Sequence, residues 1–307
     1  VSAGGGTKAI VAALAANAGI AVAKFGGFLF TGSSSMLAES VHSLADTSNQ
    51  ALLLLGQKTS RRKPTEEHPF GYGRDRYFYS FVVALLLFSL GSVFALYEGT
   101  HKVQHPEPLE SAWVAVVILL IAIGLESFSF ITAIKESKAL KGGLSWWQFI
   151  RQAKTPELPV VLLEDLGALI GLVLALGGVG LTVLTGNPVW DGIGTVCIGL
   201  LLGAIAIVLI VETKSLLIGE GAARDVLDEI VAQLESERVE KVIHIRTQYL
   251  GPDELLIAAK IGLAPSLSVR EVAAEIDDAE ARIRAKVPAA RLIYLEPDLE
   301  RGRATTG

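Results

Sequence analysis

The sequence is poor in charge and nearly devoid of cysteine. Charged side chains make up 19% of its 307 residues, where a soluble domain of this size carries about a quarter, so an ordinary soluble enzyme is excluded. Cys197 is the single cysteine, which rules out a scaffold built on intramolecular disulfides. The chain lacks the His-Glu-x-x-His pattern of helical metallopeptidases. It also lacks a basic excess: the formal charge is -5, which argues against nucleic acid as a partner.

What is present is apolar. Hydrophobic residues account for 51% of the chain and the mean hydropathy is +0.48, values that exclude intrinsic disorder and place the apolar content in membrane spans. Residues 1–211 carry 14 basic and 14 acidic side chains, while 212–307 carry 13 and 18, so all the net charge lies in the last third. The expected division is a transmembrane domain over 1–211 and a soluble acidic domain over 212–307.

Crossing roughly 30 Å of hydrocarbon takes about 20 helical residues. Six stretches qualify: Lys8–Phe30, Ser34–Gly56, Tyr77–Tyr97, Ala112–Ile134, Pro159–Thr185 and Trp190–Val211. Turn and breaker residues separate them, among them Thr31-Gly32-Ser33, His105-Pro106-Glu107-Pro108 and Gly186-Asn187-Pro188. The first stretch is over 20 residues long and contains Asn17 and Lys24, which reads as a mature helix rather than a signal core. Lys58, Arg61, Arg62, Lys63, Arg74 and Arg76 lie between the second and third spans, and Lys135, Lys138, Lys141, Arg151 and Lys154 between the fourth and fifth, against Lys102 alone in the opposite loops. By the positive-inside rule the basic loops and both termini are cytoplasmic. The expectation is a multi-pass protein of the plasma (inner) membrane, N-in and C-in.

Beyond the spans, Ala222–Glu237 has helical spacing, Val239–Thr247 and Leu255–Leu263 alternate like strands, Val269–Lys286 is a second amphipathic helix and Arg291–Leu295 a last strand. This αββαβ order predicts a small α+β domain burying Val242, Ile257, Ile261, Val272, Ile276, Ile283 and Ile293.

Ionisable groups at mid-bilayer are costly and mark function. Glu39, His42 and Asp46 fall at spacings of three and four on the second span, one stripe at ~100° per residue. Glu164 and Asp165 lie a little more than one turn inside the fifth span, and Glu126 near the middle of the fourth. A His and a carboxylate one turn apart can reach one divalent ion, with oxygen ligands from a facing helix. A structural polar contact between helices is the other reading, but the acidic groups need a counter-ion and the single intramembrane base is Lys24, which can snorkel to the interface. Glu126 fits a group that hydrogen-bonds to and orients a ligand, a proton acceptor or a protonated packing residue. Asn17, Asn49 and Gln50 read as interhelical hydrogen-bond partners.

Two stretches, Ser35-Met36-Leu37-Ala38-Glu39-Ser40-Val41-His42-Ser43-Leu44-Ala45-Asp46 and His68-Pro69-Phe70-Gly71-Tyr72-Gly73-Arg74, resemble the signatures of the cation diffusion facilitator transporters. The resemblance covers nearly the whole chain, including the αββαβ tail ending in Leu295-Glu296-Pro297. It implies a homodimer in a lipid bilayer that exports zinc or a similar divalent cation against protons, with the ion as substrate and no cofactor or enzymatic reaction. His42 and Asp46 match the family's ligand pair on the second helix and Asp165 the last ligand on the fifth. Where zinc members typically carry His, the chain has Val161, and Glu164 is the substitute, a pattern similar to the mitochondrial-type zinc transporters. The implied metal residues are His42, Asp46, Glu164 and Asp165. One imidazole with three carboxylates is a hard donor set, so manganese or ferrous iron is less disfavoured than usual.

Departures from the family pattern concern the loop and tail. The loop's second His is Tyr72, leaving His68 as a turn residue or weak entry ligand, and His244 stands alone where relatives would add His at Lys260, Ala273 and Tyr294. The soluble domain is therefore expected to dimerise without metal. The rival from another class is a non-transporting metal receptor or scaffold, which flux into sealed vesicles separates from a transporter.

Overall fold

A computed structural model describes residues 7–31, 34–106 and 112–299, with the side chains of 27, 28, 30–42 and 45 outside that description. Two compact units emerge: one comprises residues 1–62 and 75–214, the other 63–74 and 215–307.

The first unit is helical. Helix α1 (Thr7–Thr31) is followed by α2 (Ser34–Thr59) and by one long rod, α3 (Asp75–Leu86), a π-helical segment (Leu87–Val93) and α4 (Phe94–Gln104). Then come α5 (Ala112–Lys141), a short α6 (Trp146–Gln152), α7 (Glu157–Thr185) and α8 (Val189–Ile218). Among the described residues, five helices are long and apolar enough to span a membrane: Thr7–Gly26 within α1, the rod Asp75–Gln104, α5, α7 and α8. Helix α2 has 26 residues, ample length, but Asp46, Asn49 and Gln50 dilute its apolar content. Large apolar side chains such as Trp113, Val173 and Leu184 are exposed on these helices, as expected where lipid is the solvent.

Several helices run past the expected spans. Helix α5 reaches Lys141 rather than Ile134, because a helix continues out of hydrocarbon at no cost once polar residues such as Lys135 and Lys138 take over. Helix α6 was not anticipated. Its seven residues start at a capping box, Ser145 accepting from the Gln148 backbone N–H while the Gln148 side chain accepts from the Ser145 N–H.

Helix α8 packs closely on the Asp75–Gln104 rod. A Cβ at Gly199 would lie 2.9 Å from the Leu96 nitrogen and one at Gly99 2.6 Å from the Val196 nitrogen, so neither position accepts a side chain. Inside the π segment, the Ser92 hydroxyl donates to the Gly199 carbonyl at 2.8 Å. Buried Arg76 and Glu157 form a bidentate pair between α3 and α7, Nε to Oε1 at 2.5 Å and Nη2 to Oε2 at 3.0 Å.

The second unit has the order α9 (Arg224–Leu234), β1 (Val239–Gly251), β2 (Glu254–Leu263), α10 (Val269–Lys286), β3 (Ala290–Asp298), the expected αββαβ. The sheet runs β1-β2-β3, with β1 antiparallel and β3 parallel to β2. Ile257, Ile261, Ile283 and Ile293 are buried, with Val242 and Val272 partly so. Ile276 is only half-buried, and its neighbour Glu275 is buried instead. Ser236 donates to Glu275 at 2.9 Å and Arg282 at 3.2 Å, which is why a carboxylate can occupy that place.

The 63–74 segment belongs to this unit. A Cβ on Gly73 would sit 2.7 Å from the Leu250 carbonyl oxygen and 3.1 Å from the Gly251 Cα, so the loop lies directly on the β1–β2 hairpin and glycine is required there.

Candidate metal site

The acidic groups of the helical unit gather where α2, α5 and α7 approach one another. Glu164 and Asp165 are both buried on α7, and because adjacent helical residues point ~100° apart they face different neighbours. Glu164 turns to α2: Asn49 Nδ2 donates to its Oε1 at 3.3 Å and Gln50 Nε2 to its Oε2 at 2.9 Å. Gln50 in turn accepts from Asn17 Nδ2 of α1 at 3.3 Å. The amide partners expected from sequence thus form one relay from α1 through α2 to α7. Asp165 turns to α5, where the Ser129 hydroxyl donates to its Oδ2 at 2.6 Å.

Ser129 was not anticipated. It belongs to a buried stripe of α5, Glu126, Ser129, Ala133 and Ser137, whose spacing of three and four is the only trace it leaves in the sequence. Glu126, one turn before Ser129, has Asp165 and Asp46 as acidic neighbours and Lys24 as its basic one. Asp46, Asp165 and Glu126 are likewise acidic neighbours of Glu164. Four carboxylates from three helices therefore share one electrostatic neighbourhood, which only cations or protons can relieve.

The expected ligands are brought together in part. Asp46, Glu164 and Asp165 lie in this neighbourhood, whereas the side chain of His42 falls outside the described ones, as does that of Glu39. Among the described residues no three His, Cys, Asp or Glu side chains converge closely enough to hold an ion. Val161, one turn before Asp165, is fully buried in the apolar cluster of the unit. The Glu164 carboxylate is not exhausted by its two amide donors, since an ionised carboxylate offers about four lone-pair sites.

The secondary candidates are structural in their contacts. His68 organises a turn: its carbonyl accepts from the Thr65 and Gly71 backbones at 3.2 and 2.9 Å, its N–H donates to Thr65 Oγ1 at 3.1 Å, and its ring stacks on Tyr72 with centroids 4.6 Å apart. On the sheet, His244 is directly opposite Lys260, and Lys260 opposite Glu296. The Lys260 ammonium pairs with Glu296 at 2.8 Å and Asp298 at 3.2 Å. These bonds raise its pKa above the ordinary lysine value. His244, Arg246, Tyr294 and Glu296 line a depression of about 410 Å³ beside them.

Residues 10–218 match the family described as the cation efflux transmembrane domain. The chain is 36% identical over 257 residues to the Xenopus laevis protein named proton-coupled zinc antiporter SLC30A9, mitochondrial, covering 83% of this chain and 46% of that one. The Homo sapiens protein of the same name is 32% identical, with 83% and 45% covered. The chain thus spans about half the length of these curated relatives. Of solved structures, a nickel form of the MamM C-terminal domain is 21% identical and matches 26% of this chain and 100% of its own, with a TM-score of 0.24. The SLC30A9 relatives from four species are named as mitochondrial proteins. That overturns the expectation of a plasma (inner) membrane, which rested on loop charge; loop charge orients a protein within a membrane and does not choose the membrane.

Proposed function

The chain belongs to the cation efflux family, in its SLC30A9-like branch, and from that premise we propose that it carries a divalent cation, zinc foremost, across its membrane by alternating access coupled to protons. The family is one of transporters rather than enzymes, and in SLC30A9 proteins zinc is the substrate, not a cofactor. The observation that carries the reading is the meeting of Asp46, Glu126, Glu164 and Asp165 between α2, α5 and α7.

In this reading His42, Asp46, Glu164 and Asp165 bind the ion, and α2 is the sixth span. Asn49 and Gln50 orient Glu164, and Ser129 orients Asp165, as outer-shell partners that hold ligands in place. Neutral His42 with three ionised carboxylates leaves one negative charge beside a divalent ion, so one carboxylate shares a proton. Departure of the ion leaves repelling carboxylates, and protons from the release side restore neutrality. Exchange becomes antiport when the two facings of the site differ in affinity. The basic loops, both termini and the αββαβ unit lie on the side from which the ion is taken, and the chain works as a homodimer. With one imidazole in the set, manganese and ferrous iron compete better than at a two-imidazole site.

Metal-by-metal flux in proteoliposomes under an imposed pH gradient tests this. Zinc uptake driven by the gradient supports the proposal. Binding without flux would mark a static receptor and overturn it.

A further inference from the structure

The end of the Asp75–Gln104 rod remote from Asp75 carries a second pair of potential ligands, unrelated to the carboxylate cluster. His101 and His105 stand one turn apart at the C-terminus of α4, joined by the His105 backbone N–H donating to the His101 carbonyl at 2.8 Å. Both are exposed, and their rings face each other with centroids 4.9 Å apart and planes inclined by 30°. Tyr97, one turn earlier, stacks on His101 at 6.4 Å between centroids and so restrains that ring. Glu98 lies on the same stripe, at the three-and-four spacing that Glu39, His42 and Asp46 also show. The neighbouring cation, Lys102, is engaged by Asp191 at 3.1 Å.

We infer that His101 and His105 form a surface chelate for a borderline divalent cation of the zinc class. Two imidazoles at i and i+4 on one helix face are a spacing that grips zinc elsewhere, and water can complete the coordination shell as it does at open zinc sites. The setting favours a cation: the last turn of a helix presents unsatisfied carbonyls and the negative end of its dipole, and Glu98 adds a carboxylate. Imidazole donors select copper, nickel and zinc over manganese and magnesium, so this pair is more discriminating than the carboxylate-rich site within the spans. Its location at the release end rests on the topology proposed above; the chelate itself does not.

The test uses the full chain in nanodiscs, titrated with Cu²⁺ and followed by electron paramagnetic resonance. Wild type and Asp165→Asn should both give a signal coupled to two imidazole nitrogens, and Zn²⁺ in large excess should displace the copper, since copper is the tighter binder at such a site. H101A/H105A should lose that signal, and each single variant should bind at least about tenfold more weakly. A two-nitrogen signal that survives in H101A/H105A, or is absent from wild type, overturns the site. Failure of zinc in large excess to displace copper overturns its assignment to the zinc class. Flux in Asp165→Asn reports on the transport reading alone, so either proposal can fail while the other stands.

Discussion

Carboxylates are held in two different ways in the two units of this protein. In the helical unit, Glu164 accepts from the amides of Asn49 and Gln50, and Asp165 from the hydroxyl of Ser129. In the sheet unit, Glu296 and Asp298 close on Lys260, and Glu275 on Arg282. A neutral donor orients a carboxylate and leaves its charge in place, whereas an ammonium or guanidinium cancels it. Charge left standing inside a membrane has to be met by something that comes and goes, an ion or a proton. The helical unit can also cancel a carboxylate internally, as Arg76 does for Glu157. The neutral partners at Glu164 and Asp165 are therefore a local property of the cluster and not of the membrane environment.

The strongest way to break this contrast is to remove the uncancelled charge. Asp165→Asn keeps volume and can still receive the Ser129 hydroxyl at its carbonyl, but it deletes the charge of a proposed ligand; zinc flux should fall to the level of empty liposomes while the protein still assembles as in wild type. Asp46→Asn should do the same. Wild-type flux in either would remove the assigned site. The converse manipulation is Arg76→Ala, which leaves Glu157 buried beside no guanidinium. Breaking a buried pair in this way costs about 3–5 kcal/mol, so the thermal midpoint in detergent should drop steeply. Replacing both partners, Arg76→Met with Glu157→Met, should recover most of the loss, because an apolar pair of similar volume carries no stranded charge.

The contrast was only half legible in the sequence. Long apolar runs bounded by Gly, Pro and Asn give away five of the six expected spans among the described residues, because hydrocarbon demands a continuous apolar helix, and period-two alternation gives away the strands. The amide relay was also readable, since Asn17, Asn49 and Gln50 in apolar helices need partners. Helix ends were not, as α5 shows by continuing to Lys141: nothing in a helix's interior records where the bilayer stops. The face of α10 was misjudged by one residue, with Glu275 inside and Ile276 half-buried, because Ser236, remote in the chain, and Arg282, two turns along the same helix, both reach Glu275. The same reason hid Ser129 and the Arg76–Glu157 pair, whose meaning depends on what another helix brings opposite them. The loop docking at Gly73 was equally silent, since any flexible loop would tolerate a glycine.

Smaller effects sharpen the contrast within the helical cluster. Gln50→Leu removes the donor to Glu164 Oε2 without touching a ligand, and loss of an outer-shell partner typically weakens metal binding by about 10–100-fold. Calorimetric titration should find zinc affinity reduced to that degree with the stoichiometry kept; an unchanged affinity would show that Gln50 does not orient a ligand, and a Glu164→Ala variant with zinc affinity untouched would exclude Glu164 from the site and bring Glu126 forward as its replacement. Val161→His adds an imidazole one turn before Asp165 and should shift the preference for zinc over manganese by roughly tenfold, because nitrogen donors favour zinc. Competition transport of the two ions reads this ratio directly.

The smallest expected effect lies on the sheet, where the contrast requires that metal change nothing. Lys260 faces His244 across the β1–β2 pairing and is already bound to Glu296 and Asp298, so an approaching divalent ion meets a fixed ammonium and carboxylates that are engaged. Coulomb repulsion opposes it, only partly relieved by solvent. A ligand that binds the folded state alone raises its melting temperature. The fragment 213–307, which contains its own apolar core of Ile230, Leu255, Ile257, Ile261 and Ile283, should therefore melt at the same temperature with and without zinc. Lys260→His should reverse this. It exchanges the ammonium for an imidazole opposite His244 and frees Glu296 and Asp298, which together make a mixed nitrogen and oxygen donor set suited to zinc. The variant should then gain several degrees on adding zinc, a gain abolished by His244→Ala. A zinc-dependent rise already present in the unaltered fragment would mean that the sheet's carboxylates are not cancelled by Lys260, and that the two units treat their acidic groups alike.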